Sequence, residues 1–181
     1  MTCVAALVEK GVVWMGADSA GVDGNYGLRV RADPKVFENG PFLIGMSGSF
    51  RMGNLLRFKL CSPPHDPSID DYQYMADSFV EAMRAAFHAG GFVGKYQGQE
   101  VIDGSFLVAY KGVLYEVQED YQVAMMADNY AASGCGADLA LGSLYSTKGQ
   151  SPQKRIKTAL EASERFNAGV RGPFVITSQK A

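Results

Sequence analysis

The stretch MTCVAALVEKGVVWMGAD, residues 1–18, decides how the whole chain is read. Residues 2–8 form a short run almost free of charge, the pattern of a strand buried on both faces. Lys10-Gly11 supplies a turn, and Val12–Ala17 reads as the second strand of a hairpin. A core strand therefore starts at the second residue, where chains usually spend a few disordered positions. That placement directs attention to Thr2 as a working group.

The rest of the chain sets the bounds. Its 181 residues suit one domain spanning 1–181. A chain of this size buries roughly 70% of its unfolded surface, enough for a self-sufficient core. Apolar residues make up 47% and the net charge is −2, so no basic field announces nucleic acid or an anionic membrane as a partner. No apolar run approaches the roughly 20 residues of a membrane span. The N-terminal run has no basic residues before it and stops at Glu9-Lys10, so it is read as mature fold rather than a secretion signal. Cys3, Cys61 and Cys135 are far apart and odd in number, the usage of reduced, partly buried thiols in a cytoplasmic protein. His65 and His88 have no zinc-ligand spacing and read as surface residues.

After the first hairpin, residues 35–37 and 42–46 predict two strands around Asn39-Gly40. Ser49 is placed to cap a helix carrying Phe50, Leu55 and Leu56, and a proline-rich loop follows at 61–67. Tyr72, Met75, Phe79, Met83 and Phe87 mark a long amphipathic helix ending at Gly90-Gly91. Strands are predicted at 105–110, 113–117, 122–126 and 130–133. Two helices follow, the first with Leu139, Leu144 and Tyr145, the second starting at Ser151-Pro152 with a stripe through Ile156, Leu160, Ser163 and Phe166. Residues 174–177 close the chain as a strand. Antiparallel hairpins dominate, which makes the class α+β. Two sheets packed together, with a helix pair on each outer face, would cover every apolar surface.

Two motifs fail on inspection. Gly45-Met46-Ser47-Gly48-Ser49 nearly matches G-x-S-x-G but lacks the last glycine, and no histidine follows His88 to act as the late base. Gly134-Cys135-Gly136 lacks the third glycine and the βαβ surroundings of a dinucleotide loop, so it reads as a glycine-rich start to a helix. Thr2 offers a better mechanism. Once Met1 is removed, the hydroxyl of Thr2 is a nucleophile and its α-amine, with a pKa of about 7.7–8, is a base in the same residue. No histidine is needed, and this chemistry calls for no metal or organic cofactor.

The surrounding residues carry a resemblance. Gly16-Ala17-Asp18 ends the second strand, Lys35 precedes a short strand in PKVF, LIGMSGSFRMGNLL runs from a strand through small residues into a helix, and Ala132-Ser133-Gly134 makes a later turn before a helix. In this order the chain resembles, from end to end, the proteasome β-subunit family of N-terminal nucleophile (Ntn) hydrolases, including HslV-type peptidases. The resemblance implies a four-layer αββα sandwich of two mainly antiparallel sheets with helix pairs outside. It implies a threonine peptidase that forms an acyl-enzyme on Thr2 inside a ring-shaped homo-oligomer acting on polypeptides. Whether an ATP-dependent unfoldase docks on the ring is left open.

Roles follow by the same resemblance. Thr2 is nucleophile and base, Lys35 the cation beside its oxygen, Asp18 the partner of Lys35, the Gly48 N–H the oxyanion donor, and Ser133 a hydrogen-bond partner of the amine. Met46 and Gly21 line an apolar pocket for the residue before the cut, shortened by Phe50. On the residues alone, Asp18 and Lys35 would form an ordinary surface ion pair. There are departures. The spacing from Asp18 to Lys35 is one residue longer than usual, no propeptide beyond Met1 is expected, and Arg165-Phe166-Asn167-Ala168-Gly169 lacks an Asp and Ser that support the terminal threonine in many proteasome subunits. Support for the amine would then fall on Ser133. The alternatives are a silent scaffold or binding protein that retains Met1, and an Ntn amidase or peptide ligase with one specific substrate.

Overall fold

Both faces of the first hairpin are covered, and each cover is made of different residues. The computed structural model describes residues 1–25 and 27–180. Strands β1 (Val4–Glu9) and β2 (Val12–Ala17) form the expected hairpin, followed by a small hairpin of β3 (Ala20–Val22) and β4 (Leu28–Val30). Strands β5 (Val36–Asn39) and β6 (Phe42–Gly48) lead into helix α1 (Phe50–Phe58). The long helix is α2 (Asp71–Tyr74), a π-helical turn over Met75–Phe79 and α3 (Val80–Ala89). Next come the hairpin β7 (Gly94–Tyr96) and β8 (Gln99–Val101), then β9 (Gly104–Tyr110), β10 (Val113–Val117), β11 (Val123–Met125) and β12 (Tyr130–Ser133). Helices α4 (Ala137–Ser146) and α5 (Pro152–Phe166) and strand β13 (Val175–Lys180) finish the chain.

Two antiparallel sheets result, ordered β12-β1-β2-β13 and β11-β10-β9-β6-β5. Alternate residues of each strand feed different cores, as the two-residue period of a strand requires. Val4, Ala6, Val13 and Met15 face Leu43, Leu107 and Ala109 between the sheets. Ala5 and Leu7, from the other face of β1, and Cys3 just before it pack on Ala140, Leu144, Ile156 and Leu160 of α4 and α5. Phe42, Ile44, Met46 and Phe106 pack on Met52, Phe79, Met83 and Phe87 of the other helix layer. The four-layer αββα order follows from these three cores. No described helix is long and apolar enough to cross a membrane.

Several expectations need correction. β1 begins at Val4, so residues 2–3 lead into the sheet rather than belonging to its ladder. The hairpins β3–β4 and β7–β8 were not foreseen, because β4 and β7 are exposed throughout and carry no buried alternation. His65 is not a surface residue: its ring stacks on Tyr74 at 4.4 Å, and its nitrogens meet the Tyr110 hydroxyl at 2.8 Å and the Ile69 carbonyl at 3.0 Å. Cys61 and Cys135 are exposed, and only Cys3 is buried. Phe166 and Tyr145 point outward instead of joining the helix stripes.

Candidate active site

The site forms at the start of β1, an interior strand of its sheet, and backbone hydrogen bonds fix its centre. The Thr2 carbonyl accepts from Gly136 N at 3.2 Å, the Cys3 carbonyl from Asp18 N at 3.2 Å, and Cys3 N donates to Asp18 Oδ1 at 2.9 Å. The lead-in to β1 is thereby pinned between β2 and the start of α4. Thr2 is only 1% exposed. Two glycines make this possible. Gly134 has φ +94°, and a Cβ there would run into the Thr2 carbonyl. Gly48 has φ +102°, and its Cβ would lie 2.7 Å from the Cα of Gly104. Both positions are strained for any other residue.

Asp18 and Lys35 do not form a surface pair. Lys35 Nζ lies 2.8 Å from Asp18 Oδ1, and the two side chains are 1% and 0% exposed. Asp18 also accepts from Ala20 N at 2.8 Å and Arg171 N at 3.2 Å, so four donors saturate its carboxylate. Burial pushes the Lys35 ammonium below its ordinary range, and the Asp18 charge opposes that shift. Burial pushes the Cys3 thiol up to about 11, which leaves it neutral and inert beside Thr2.

Thr2 Oγ1 donates to the Met1 carbonyl oxygen at 2.6 Å, and Lys35 Nζ donates to the same oxygen at 3.4 Å. Thr2, Gly48, Ser47, Ser105 and Cys135 line a cleft of about 260 Å³, with Asp103 and Glu119 at its walls. The structure thus brings Thr2, Asp18, Lys35 and Gly48 together. Ser133 is close by but otherwise engaged: its hydroxyl lies 2.7 Å from both the Ser47 and the Ser105 hydroxyls. The Thr2 nitrogen instead donates to Cys135 Sγ at 3.3 Å.

The three pocket residues are split. Gly21 and Phe50 line one depression of about 450 Å³ with Arg29 and Arg31, whereas Met46 is buried beneath, packed against Gly53. The Arg31 guanidinium lies 3.8 Å from the Phe50 ring centroid and pairs with Asp33 at 2.6 Å. Ser47 has no histidine beside it. His65 is held by Tyr110, Ile69 and Lys111, and His88 by Glu100.

Sequence reasoning missed Cys135, Asn167, Ser47 and Ser105. Gly134-Cys135-Gly136 had been read only as a helix start, and the chain after Arg165 only for what it lacks.

Two buried antiparallel sheets between helix pairs make up the proteasome- and HslV-like Ntn-hydrolase fold, as solved structures bear out. No family model matches the sequence, and no curated protein does. Among solved structures, the protein BPH of Thiobacillus denitrificans superimposes with a TM-score of 0.81 at 17% identity, over 99% of this chain and 98% of that one. Its complex with epoxomicin gives 0.80 at 18% identity over the same shares. HslV from Trypanosoma brucei gives 0.72 at 15% identity, over 99% of this chain and 100% of that one.

Proposed function

We propose that this chain is a threonine peptidase that cleaves polypeptides through an acyl-enzyme on Thr2 after residue 1 is removed. One observation carries the proposal: the Thr2 hydroxyl and the buried Lys35 ammonium reach the same carbonyl oxygen, at 2.6 and 3.4 Å, in the cleft beside Gly48. While Met1 is present, its carbonyl occupies that place and the Thr2 nitrogen is an amide, which accepts no proton near neutral pH. Removal of Met1 turns the nitrogen into an α-amine with an ordinary pKa of about 7.7–8.

The chemistry then needs only groups already in place. The neutral amine takes the proton of Thr2 Oγ1, and Oγ1 attacks the scissile carbonyl. The Lys35 cation favours negative charge on the threonine oxygen, and the Gly48 N–H stabilises the oxyanion. The amine returns the proton to the leaving amine, and water then hydrolyses the ester. Asp18 holds Lys35 in position. The depression lined by Gly21 and Phe50 takes the side chain before the cut, with Arg31 over the aromatic face.

The likeness to BPH and HslV supports the further proposal of a cytoplasmic, ring-shaped homo-oligomer. The experiment is a fluorogenic-peptide assay on protein shown by intact mass to lack Met1. Thr2→Ala and Lys35→Ala should fold and assemble but lose turnover, and Thr2→Ser should keep part of it. Full activity in Thr2→Ala would refute the mechanism. No turnover in any Met1-free preparation would favour a silent scaffold.

A further inference from the structure

Nothing in the sequence pointed to a thiol at the terminal nitrogen. Ser133 had been expected there, but its hydroxyl meets those of Ser47 and Ser105, and the Thr2 nitrogen donates elsewhere. The hydroxyls of Ser47, Ser105 and Ser133 form a triangle with sides of 2.7, 2.7 and 3.2 Å, and Ser47 is also 3.0 Å from the Ser105 carbonyl. Three protons serve these four contacts, which hold the three hydroxyls on one another, while the Thr2 nitrogen donates to Cys135 Sγ. The triangle ties β12 of one sheet to β6 and β9 of the other, at the end where the cleft opens.

Cys135 fills the gap. Its sulfur lies 3.3 Å from Thr2 N and 3.4 Å from the Thr2 carbonyl oxygen. It is also 3.4 Å from Asn167 Oδ1. Asn167 has its orientation fixed by two further bonds: Nδ2 donates to the Cys135 carbonyl at 2.7 Å, and Oδ1 accepts from Gly169 N at 2.8 Å. Oδ1 therefore faces the thiol as an acceptor. The thiol proton has Asn167 Oδ1 or the Thr2 carbonyl to go to, and a sulfur lone pair faces the Thr2 N–H.

We propose that Cys135, backed by Asn167, is the positioning residue that orients the terminal amine of Thr2. The proposal rests on the threonine-peptidase reading above. Sulfur is a weak acceptor, so it fixes the direction of one N–H without strongly favouring the ammonium over the neutral base. The nitrogen's remaining valence then points toward Thr2 Oγ1, into the space the Met1 carbonyl carbon leaves. The charged and titratable groups near this nitrogen include Asp18, which follows β2, Lys35, which precedes β5, and the neutral Cys3 thiol. Asp103 and Glu119 line the same cleft. Asn167 brings no charge.

A consequence is sensitivity to thiol reagents. Cys135 is exposed, and a group attached to its sulfur would stand in the nucleophile's cleft. With iodoacetamide the thiolate forms a carbon–sulfur bond, iodide leaves, and the thiol proton passes to solvent. The test uses Met1-free protein in a Cys61→Ser background, so that the other exposed thiol is absent. Carbamidomethylation mapped to Cys135 should abolish peptidase activity. Cys135→Ser should keep most of the turnover and resist the reagent. Cys135→Ala, which loses one hydrogen bond to a reacting group, should lower kcat roughly tenfold with KM nearly unchanged.

An arm independent of turnover compares the rate of Cys135 alkylation at one fixed neutral pH. The rate should be higher in Met1-free than in Met1-bearing protein, because the freed amine, when protonated, favours the thiolate it touches. Equal rates, or full activity in Cys135→Ala or in the alkylated protein, would overturn the positioning role. A raised rate without turnover in any preparation would uphold the contact and fail the peptidase reading alone.

Discussion

Replacing Asp18 by alanine strikes a buried carboxylate shared by four donors. The change removes the partner of a Lys35 ammonium that is 1% exposed, and it strips acceptors from the backbone N–H groups of Cys3, Ala20 and Arg171. Breaking a buried pair from one side costs about 3–5 kcal/mol, because a charge is left without compensation. For a chain of this size that corresponds to a fall in Tm of roughly 10 °C. Lys35→Met should cost less: the remaining carboxylate keeps its three backbone donors, and the methionine stem fills the same volume. The double variant Asp18→Ala/Lys35→Met should therefore be more stable than Asp18→Ala alone. Equilibrium urea unfolding of the four proteins at one fixed protein concentration gives the coupling directly. If Asp18→Ala costs under about 1 kcal/mol, or if removing Lys35 from it brings no recovery, the pair is not the buried anchor described above.

Gly134→Ala should lower stability by about 1–3 kcal/mol, read by the same unfolding assay, because its Cβ meets the Thr2 carbonyl at a positive φ. Folded protein that still carries Met1 should resist methionine aminopeptidase over hours, whereas a freely exposed N-terminal peptide is trimmed; intact mass follows the difference, which arises from the burial of Thr2. Arg31→Ala should raise kcat/KM for peptides with Leu or Phe before the cut relative to Asp, since it uncovers the Phe50 ring; an unchanged ratio in the fluorogenic assay would place the pocket elsewhere. Glu100 is held down at about 2 by its hydrogen bond to Arg84, against 4.5 when unfolded. Its contribution is therefore present above pH 4.5 and lost as pH falls toward 2, so Glu100→Gln should flatten the acid limb of Tm against pH there, an effect that salt weakens because the pair is solvent-screened.

The parts of the fold legible in the sequence were those where burial imposes a period. Val12–Ala17 and Val113–Val117 are strands with the foreseen bounds, and Ser49 caps α1 by accepting from Arg51 N. The hairpin of β3 and β4 escaped because it hydrogen-bonds into neither large sheet and its second strand is exposed. His65 escaped because an isolated histidine in a proline-rich loop gives no sign that Tyr74 and Tyr110 will enclose it. The nearness of Thr2, Asp18, Lys35 and Gly48 in space was foreseen from their order along the chain, through the family resemblance. Cys135 and Asn167 lie 133 and 165 positions from Thr2, and only the closing of α4 and α5 over β1 places them beside it. Arg31 escaped because the pocket residues were assigned by position and not by what would fill the space between them.

The central proposal is that a free amine on Thr2 switches the cleft on, and one paired measurement addresses it. The same purified protein, with and without Met1 as verified by intact mass, is assayed side by side on a fluorogenic peptide near neutral pH. Turnover confined to the Met1-free protein, lost in Thr2→Ala, is the expected result. Equal turnover in the Met1-bearing protein would contradict it.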